Sequence, residues 1–105
     1  MNKPEAKALL TKQLSEWRLL PYDDLASRIG GESITGEVHG ESDQIYQFEI
    51  QVFWDDKPNG DIRVIGAIDD AGFRAFFSPL TDDFIMAQDG SFVDEDPHQQ
   101  DIQAK

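Results

Sequence analysis

The segment QIYQFEIQVFW, residues 44–54, constrains the fold more than any other part of the chain. Its apolar and polar residues alternate, and this two-residue period is typical of a β-strand with one buried face. Glu49 and its polar neighbours form one face, until Phe53 interrupts it. The other face is an apolar row, made of Tyr46, Phe48, Ile50, Val52 and Trp54. A strand with such a row needs a second layer to cover it.

The stretch that follows, WDDKPNGDIRV at residues 54–64, has the outline of a calcium-binding loop. With Gly60 at the sixth position, however, Lys57 stands where an oxygen ligand is needed, and Gly66 stands where a bidentate glutamate is needed. Pro58 presets φ for a turn, and Asn59-Gly60 tolerate the left-handed conformation. The stretch therefore predicts a hairpin loop and not a metal site.

Three further strands are expected around this hairpin. ESITGEVHG alternates only weakly, and its glycines indicate an edge or bulged strand. IRVIGAID is the third strand, and Asp69-Asp70-Ala71-Gly72 suits a type I turn with a glycine bulge before the fourth strand, FRAFFS. These strands occupy residues 32–40, 62–69 and 73–78.

Two helices are expected before the strands. Residues 4–20 carry apolar residues at helical spacing, with Pro4 in the first turn and Pro21 as the stop. YDDLASRIGG predicts a short second helix that Gly30 caps. After Pro79 the pattern loosens, with a short helix expected near Thr81.

The order of elements predicts an α+β fold, in which two N-terminal helices pack on one face of a four-stranded antiparallel β-meander, followed by an irregular C-terminal segment. The length of 105 residues fits one domain. We expect this domain to span residues 1–96, and we expect residues 97–105 to be a polar, frayed tail.

The formal net charge is −12, with +2 in residues 1–18 and −14 in the remainder. Such a surface repels nucleic acids and anionic membranes, so neither is an expected partner. A polyanionic surface serves solubility, or it steers the chain toward a basic partner. MNKPEAKALL has no apolar run that would make a signal peptide, which predicts a cytoplasmic location.

Residue types that carry chemistry are sparse. The chain has no cysteine and two histidines, His39 and His98, too few for a zinc site. Paired aspartates recur, but each pair lies in a turn or at a helix start, where aspartate is favoured for backbone reasons. Nucleophile-elbow, P-loop and dinucleotide motifs are absent from the sequence. We expect no catalytic residue, cofactor or metal.

The second face of the expected sheet is partly apolar, because Ile65 and Ala67 fall beside Phe53. A large exposed strip of this kind needs a cover. Either residues 84–93 fold back over it, or a second chain covers it.

The leading hypothesis is therefore a non-enzymatic module that binds a protein partner or associates with itself. Its partner would be a second copy or a basic protein. The alternative is a small enzyme or ligand-binding protein, with a pocket between the first helix and the sheet where Gly66 leaves room. The candidate partner-binding residues are Phe53, Trp54, Asp55, Asp56, Ile65 and Ala67.

Overall fold

The structure is a computed structural model that describes residues 2–70 and 79–93. In these ranges the chain forms two α-helices, a single 3₁₀ turn at Glu41–Asp43, and five strands. The α-helices and strands are α1 (Lys3–Trp17), α2 (Tyr22–Ser27), β1 (Ile34–His39), β2 (Ile45–Trp54), β3 (Ile62–Asp70), β4 (Leu80–Met86) and β5 (Phe92–Val93). The strands form one open antiparallel sheet, with neighbours in chain order. The fold class is thus α+β.

The first helix starts and ends at local signals. Asn2 is the N-cap, and its side chain accepts a hydrogen bond of 3.0 Å from the backbone N–H of Glu5. The helix ends at Trp17, three residues before the expected end at Leu20. Pro21 accounts for part of this difference, because the residue that precedes a proline is disfavoured in the helical conformation.

The core lies between α1 and the even-numbered side chains of the sheet. α1 packs against β3 and β4, and α2 contacts β3. Each fully buried aliphatic or aromatic side chain stabilises the fold by about 1.5–3 kcal/mol. The buried apolar residues are Ala6, Leu10, Leu14, Leu25, Tyr46, Ile50, Ile62, Val64, Ile68, Phe84 and Met86.

The sheet differs from the expected one at its C-terminal side. Residues 80–86 form a strand beside β3, so the short helix expected near Thr81 is wrong, and the sheet has five strands where four were expected. β4 takes the place beside β3 that the sequence assigned to FRAFFS. The segment 73–78, the Gly72 bulge and the tail 97–105 lie outside the described residues.

The expectation that residues 84–93 fold back over the second face is also wrong. Phe84 is buried within β4, and Phe92 packs against the core cluster. The rings of Phe84 and Phe92 meet edge to face at 5.6 Å, and the guanidinium of Arg18 from the end of α1 lies over both. This segment therefore extends the sheet and contributes to its helix-covered face.

Candidate functional site

β2 extends past the end of β1. The pairing of β1 with β2 ends at Ile34 and Ile50, whereas β2 stays paired with β3 as far as Trp54. Residues 51–54 thus have β3 on one side and, within the described chain, no residue of β1 on the other. This end of β2 is an open sheet edge.

Two backbone hydrogen bonds show which groups point to that edge. The N–H of Asp55 donates to the carbonyl of Asp61 at 2.8 Å. The N–H and C=O groups of the odd-numbered residues of β2 therefore point toward β3. The N–H of Gly40 donates to the carbonyl of Gln44 at 2.7 Å. The N–H and C=O groups of the even-numbered residues of β2 therefore point toward β1. Because the two directions alternate along an antiparallel strand, the N–H and C=O of Val52 and Trp54 point to the open edge.

A groove lies beside this edge. Its volume is about 500 Å³, and it runs between the end of β2 and the segment that joins α2 to β1. We call it the edge groove; its lining is Trp17, residues 28–34 and residues 50–54. Four large apolar side chains of the described residues are exposed by 36% or more, and two of them, Ile34 at 44% and Phe53 at 42%, line this groove.

The α2–β1 segment turns at its first end and is tied to β2 at its second. Gly30 has a φ of +83° after the end of α2, a conformation that favours glycine and turns the chain. At the other end, the hydroxyl of Ser33 donates a hydrogen bond of 2.7 Å to Glu49 Oε2. The groove is therefore the space that this diverging segment leaves next to β2.

The cation in the edge groove is already engaged. The guanidinium of Arg28 lies 5.1 Å from the centre of the Trp17 ring and 3.5 Å from Asp24. Two exposed acidic side chains belong to this region: Glu32 lines the groove, and Asp56 follows Trp54 by two residues in the hairpin loop. The surroundings of the groove thus favour a positively charged ligand.

The structure divides the six candidate partner-binding residues into two groups. Phe53 and Trp54 line the edge groove, and the exposed Asp55 and Asp56 follow them in the hairpin loop. Ile65 and Ala67 lie at the centre of β3, where they share with Phe53 the face of the sheet that the helices do not cover.

The second face of the sheet is less apolar than the sequence suggested. Ile65 stands between Gln51 and Asp83, and Ala67 stands between Glu49 and Thr81. The apolar side chains in this part of the sheet are therefore separated by polar ones.

One arginine links three elements on this second face. The Arg63 guanidinium donates a hydrogen bond of 2.8 Å to Asp55 and also pairs with Asp83. The bond to Asp55 is the main reason that the pKa of Arg63 is raised. Asp55 and Asp83 both pair with this guanidinium, so a cation of the protein occupies the space between them.

The interface between α1 and the sheet is closed at Gly66. A Cβ atom at this position would lie 2.9 Å from Leu10 Cδ1 and 3.1 Å from Leu14 Cδ2. The missing side chain therefore admits the helix. It does not leave the room for a ligand that the sequence suggested at this point.

Sequence reasoning missed the residues on the far wall of the edge groove, which are Trp17, Arg28, Ile29 and Ile34. One signal was available: ESITGEVHG is shorter than QIYQFEIQVFW. A short strand paired with a longer one leaves part of the longer strand without a neighbour. The helix side chains that flank this part depend on the tertiary arrangement.

Among the described residues, no cluster of three or more histidine or acidic side chains is arranged to hold a metal ion. None of the described helices has both the length and the apolar character needed to cross a membrane. Comparisons with protein-family models, with curated proteins and with solved structures found no match. The candidate function therefore rests on the geometry of the site.

Proposed function

We propose that this chain is a protein-interaction module that binds a segment of another protein at the edge groove, without catalysing a reaction. The observation that carries the proposal is the open edge of β2 beside a groove lined by exposed apolar side chains. Exposed strand edges and apolar grooves are both established docking surfaces for peptide segments. In this proposal the two helices cover one sheet face, and the partner meets the adjoining edge.

The charge of the chain favours a different protein over a second copy. Two copies would each carry a net charge of −12 and would repel each other. A basic partner would be attracted to the same surface, and its association would be faster at low ionic strength. We accordingly propose a basic protein partner and, independently of the charge, a cytoplasmic setting.

Site-specific photocrosslinking tests the proposal. The photoreactive residue p-benzoylphenylalanine replaces Phe53 in one variant and Ile45 in the other, in cells that naturally make the chain. Both residues belong to β2 and have similar exposure, 42% and 36%. At ~3.3 Å per residue they lie roughly 26 Å apart, so Ile45 serves as a matched control outside the groove.

We expect a discrete crosslinked adduct from position 53 that is absent or much weaker from position 45. The adduct should also disappear when Trp17, on the groove wall, is replaced by alanine in the same variant. Equal yields from both positions would contradict a binding site at the edge groove. An adduct with the mass of two copies of this chain would contradict a heterologous partner.

A further inference from the structure

We infer that the bound segment is an extended, basic peptide that joins the sheet as a strand next to residues 51–54 and places one large apolar side chain in the edge groove. This inference rests on the proposed function and names the chemistry of its partner. Three features of the site carry it: the open backbone groups, the size and lining of the groove, and the acidic side chains in and beside it.

The first feature is the set of unpaired backbone groups at the end of β2. Val52 and Trp54 direct their N–H and C=O groups to the open edge, along the line that β1 follows as far as Ile34. Natural edge strands are usually protected from pairing by charged residues or proline. The sequence of residues 51–54 is QVFW, which contains neither. An extended segment can therefore hydrogen-bond to this edge, which is the strand-addition mode of peptide recognition.

The groove supplies the second feature. A volume of about 500 Å³ falls within the range of pockets that bind small ligands or large side chains. Trp17, Ile29 and Val52 are partly buried around it, while Ile34 and Phe53 are exposed at its rim. Because the side chains of an added strand alternate between the two faces of the sheet, one apolar side chain would enter the groove beside Val52.

The charges supply the third feature. Glu32 is exposed in the groove lining, Asp56 is exposed two residues after Trp54, and Arg28 is already paired with Asp24. Lysine or arginine residues on either side of the apolar anchor would meet these carboxylates. Acidic residues at the same positions would be repelled, so the charge selects the ligand class.

Peptide binding tests the inference directly. The probe is the acetylated and amidated peptide KVKLKVK, and the readout is intrinsic fluorescence, because Trp17 and Trp54 are the two tryptophans of the chain and both line the groove. The comparison peptides are EVELEVE, which reverses the charge, KVKAKVK, which lacks the apolar anchor, and KVKLKVK methylated at every backbone nitrogen, whose backbone cannot donate hydrogen bonds.

KVKLKVK should change the emission saturably, and binding should weaken as salt is added. Each comparison peptide should bind weaker by about tenfold or more, because charge, apolar burial and backbone hydrogen bonds each contribute. If the methylated peptide binds as tightly as the parent peptide, strand addition is wrong. If EVELEVE binds as tightly, the basic class is wrong.

Two matched pairs of variants test the same points on the protein. Val52→Pro removes the open N–H, whereas Val52→Ala removes only the side chain, so KVKLKVK should bind Val52→Pro weaker than Val52→Ala by about threefold or more. Glu32→Lys should weaken binding by several-fold, and the same charge change at the exposed Glu37, which lies outside the groove lining, should have a smaller effect. Circular dichroism is the control that checks that each variant is folded.

The two levels of the proposal fail separately. Crosslinking at position 53 without binding of KVKLKVK would support the interaction site. It would overturn the inference that the ligand is a basic, extended peptide. Absence of both the crosslink and the peptide binding would overturn the proposed site itself. Equal binding by the two members of either pair of variants would overturn the corresponding contact.

Discussion

The hydroxyl of Tyr46 donates a hydrogen bond of 2.8 Å to Oε1 of Glu5, and this contact ties β2 to the first turn of α1. The other oxygen of the same carboxylate accepts a hydrogen bond of 2.8 Å from the backbone N–H of Glu41. Gly40 gives the carboxylate room, because a Cβ atom there would lie 2.3 Å from Oε1. One acidic side chain thus joins the first helix to the β1–β2 connection.

Replacing Tyr46 with phenylalanine should lower the free energy of unfolding by about 1.5–3 kcal/mol, the usual net value of a hydrogen bond to a charged group. The ring and its burial are retained, so the change isolates the hydroxyl. Urea denaturation followed by circular dichroism measures the difference. A Tyr46→Phe variant as stable as the parent would show that the bond to Glu5 contributes nothing in solution.

The same contact predicts a decrease of stability at alkaline pH. Burial, followed by the hydrogen bond to Glu5, raises the pKa of Tyr46 from 10.0 to about 12. Between these values the unfolded chain loses the phenolic proton and the folded chain keeps it, so the free energy of unfolding falls as pH rises from 10 to 12. Below pH 10 the contribution is fully present.

Urea titrations across this range check the alkaline prediction. Tyr46→Phe should show a smaller decrease, whereas Tyr22→Phe, which leaves Tyr46 in place, should keep it. Tyr22 makes a hydrogen bond of its own, of 2.7 Å to the carbonyl of Gly60, so both variants lose one hydroxyl contact. Identical pH profiles for the two variants would contradict the raised pKa.

Gly66→Ala should destabilise the chain by about 1–3 kcal/mol, because the added methyl group would overpack against Leu10, Leu14 and Ile50. These three side chains are almost completely buried and have little room to move. Gly31→Ala is the control, since its Cβ would meet only the carbonyl of Arg28, at 3.4 Å. Thermal or urea unfolding of both variants measures the effect, and equal stability of the two would show that α1 does not pack closely on β3.

Arg18→Gln should reduce stability by at least about 0.5 kcal/mol, because the guanidinium lies 4.8 Å and 5.0 Å from the ring centres of Phe84 and Phe92. Lys12→Gln removes an exposed cation from the same helix and should change stability by less than about 0.5 kcal/mol. Urea denaturation compares the two. An effect of Lys12→Gln as large as that of Arg18→Gln would point to the charge of α1 in general, and not to the two rings.

The parts of the fold that sequence could predict are those that local pattern determines. The alternation in residues 44–54 identifies β2 and its buried row, and Pro58 with Asn59 identifies the hairpin loop, where Asn59 has a φ of +66°. Helical spacing identifies α1, whose buried residues include Leu10 and Leu14.

Two features could not be predicted in this way, for different physical reasons. LTDDFIM looks like a helix start because Thr81 and the aspartates that follow it suit an N-cap, but pairing with β3 outweighs this local preference. The edge groove depends on how the α2–β1 segment diverges from β2. That geometry is set by Gly30 and by the bond from Ser33 to Glu49, across residues that no sequence period connects.

Residue-resolved amide hydrogen exchange by NMR measures whether the end of β2 is an open edge in the free protein. The amides of Gln51 and Phe53 point toward β3 and should be protected, as should that of Ile50, which faces β1. The amides of Val52 and Trp54 should exchange fast in the free protein and become protected when KVKLKVK binds. Protection of Val52 and Trp54 in the free chain equal to that of Ile50 would show that the edge is already covered, and would contradict the account.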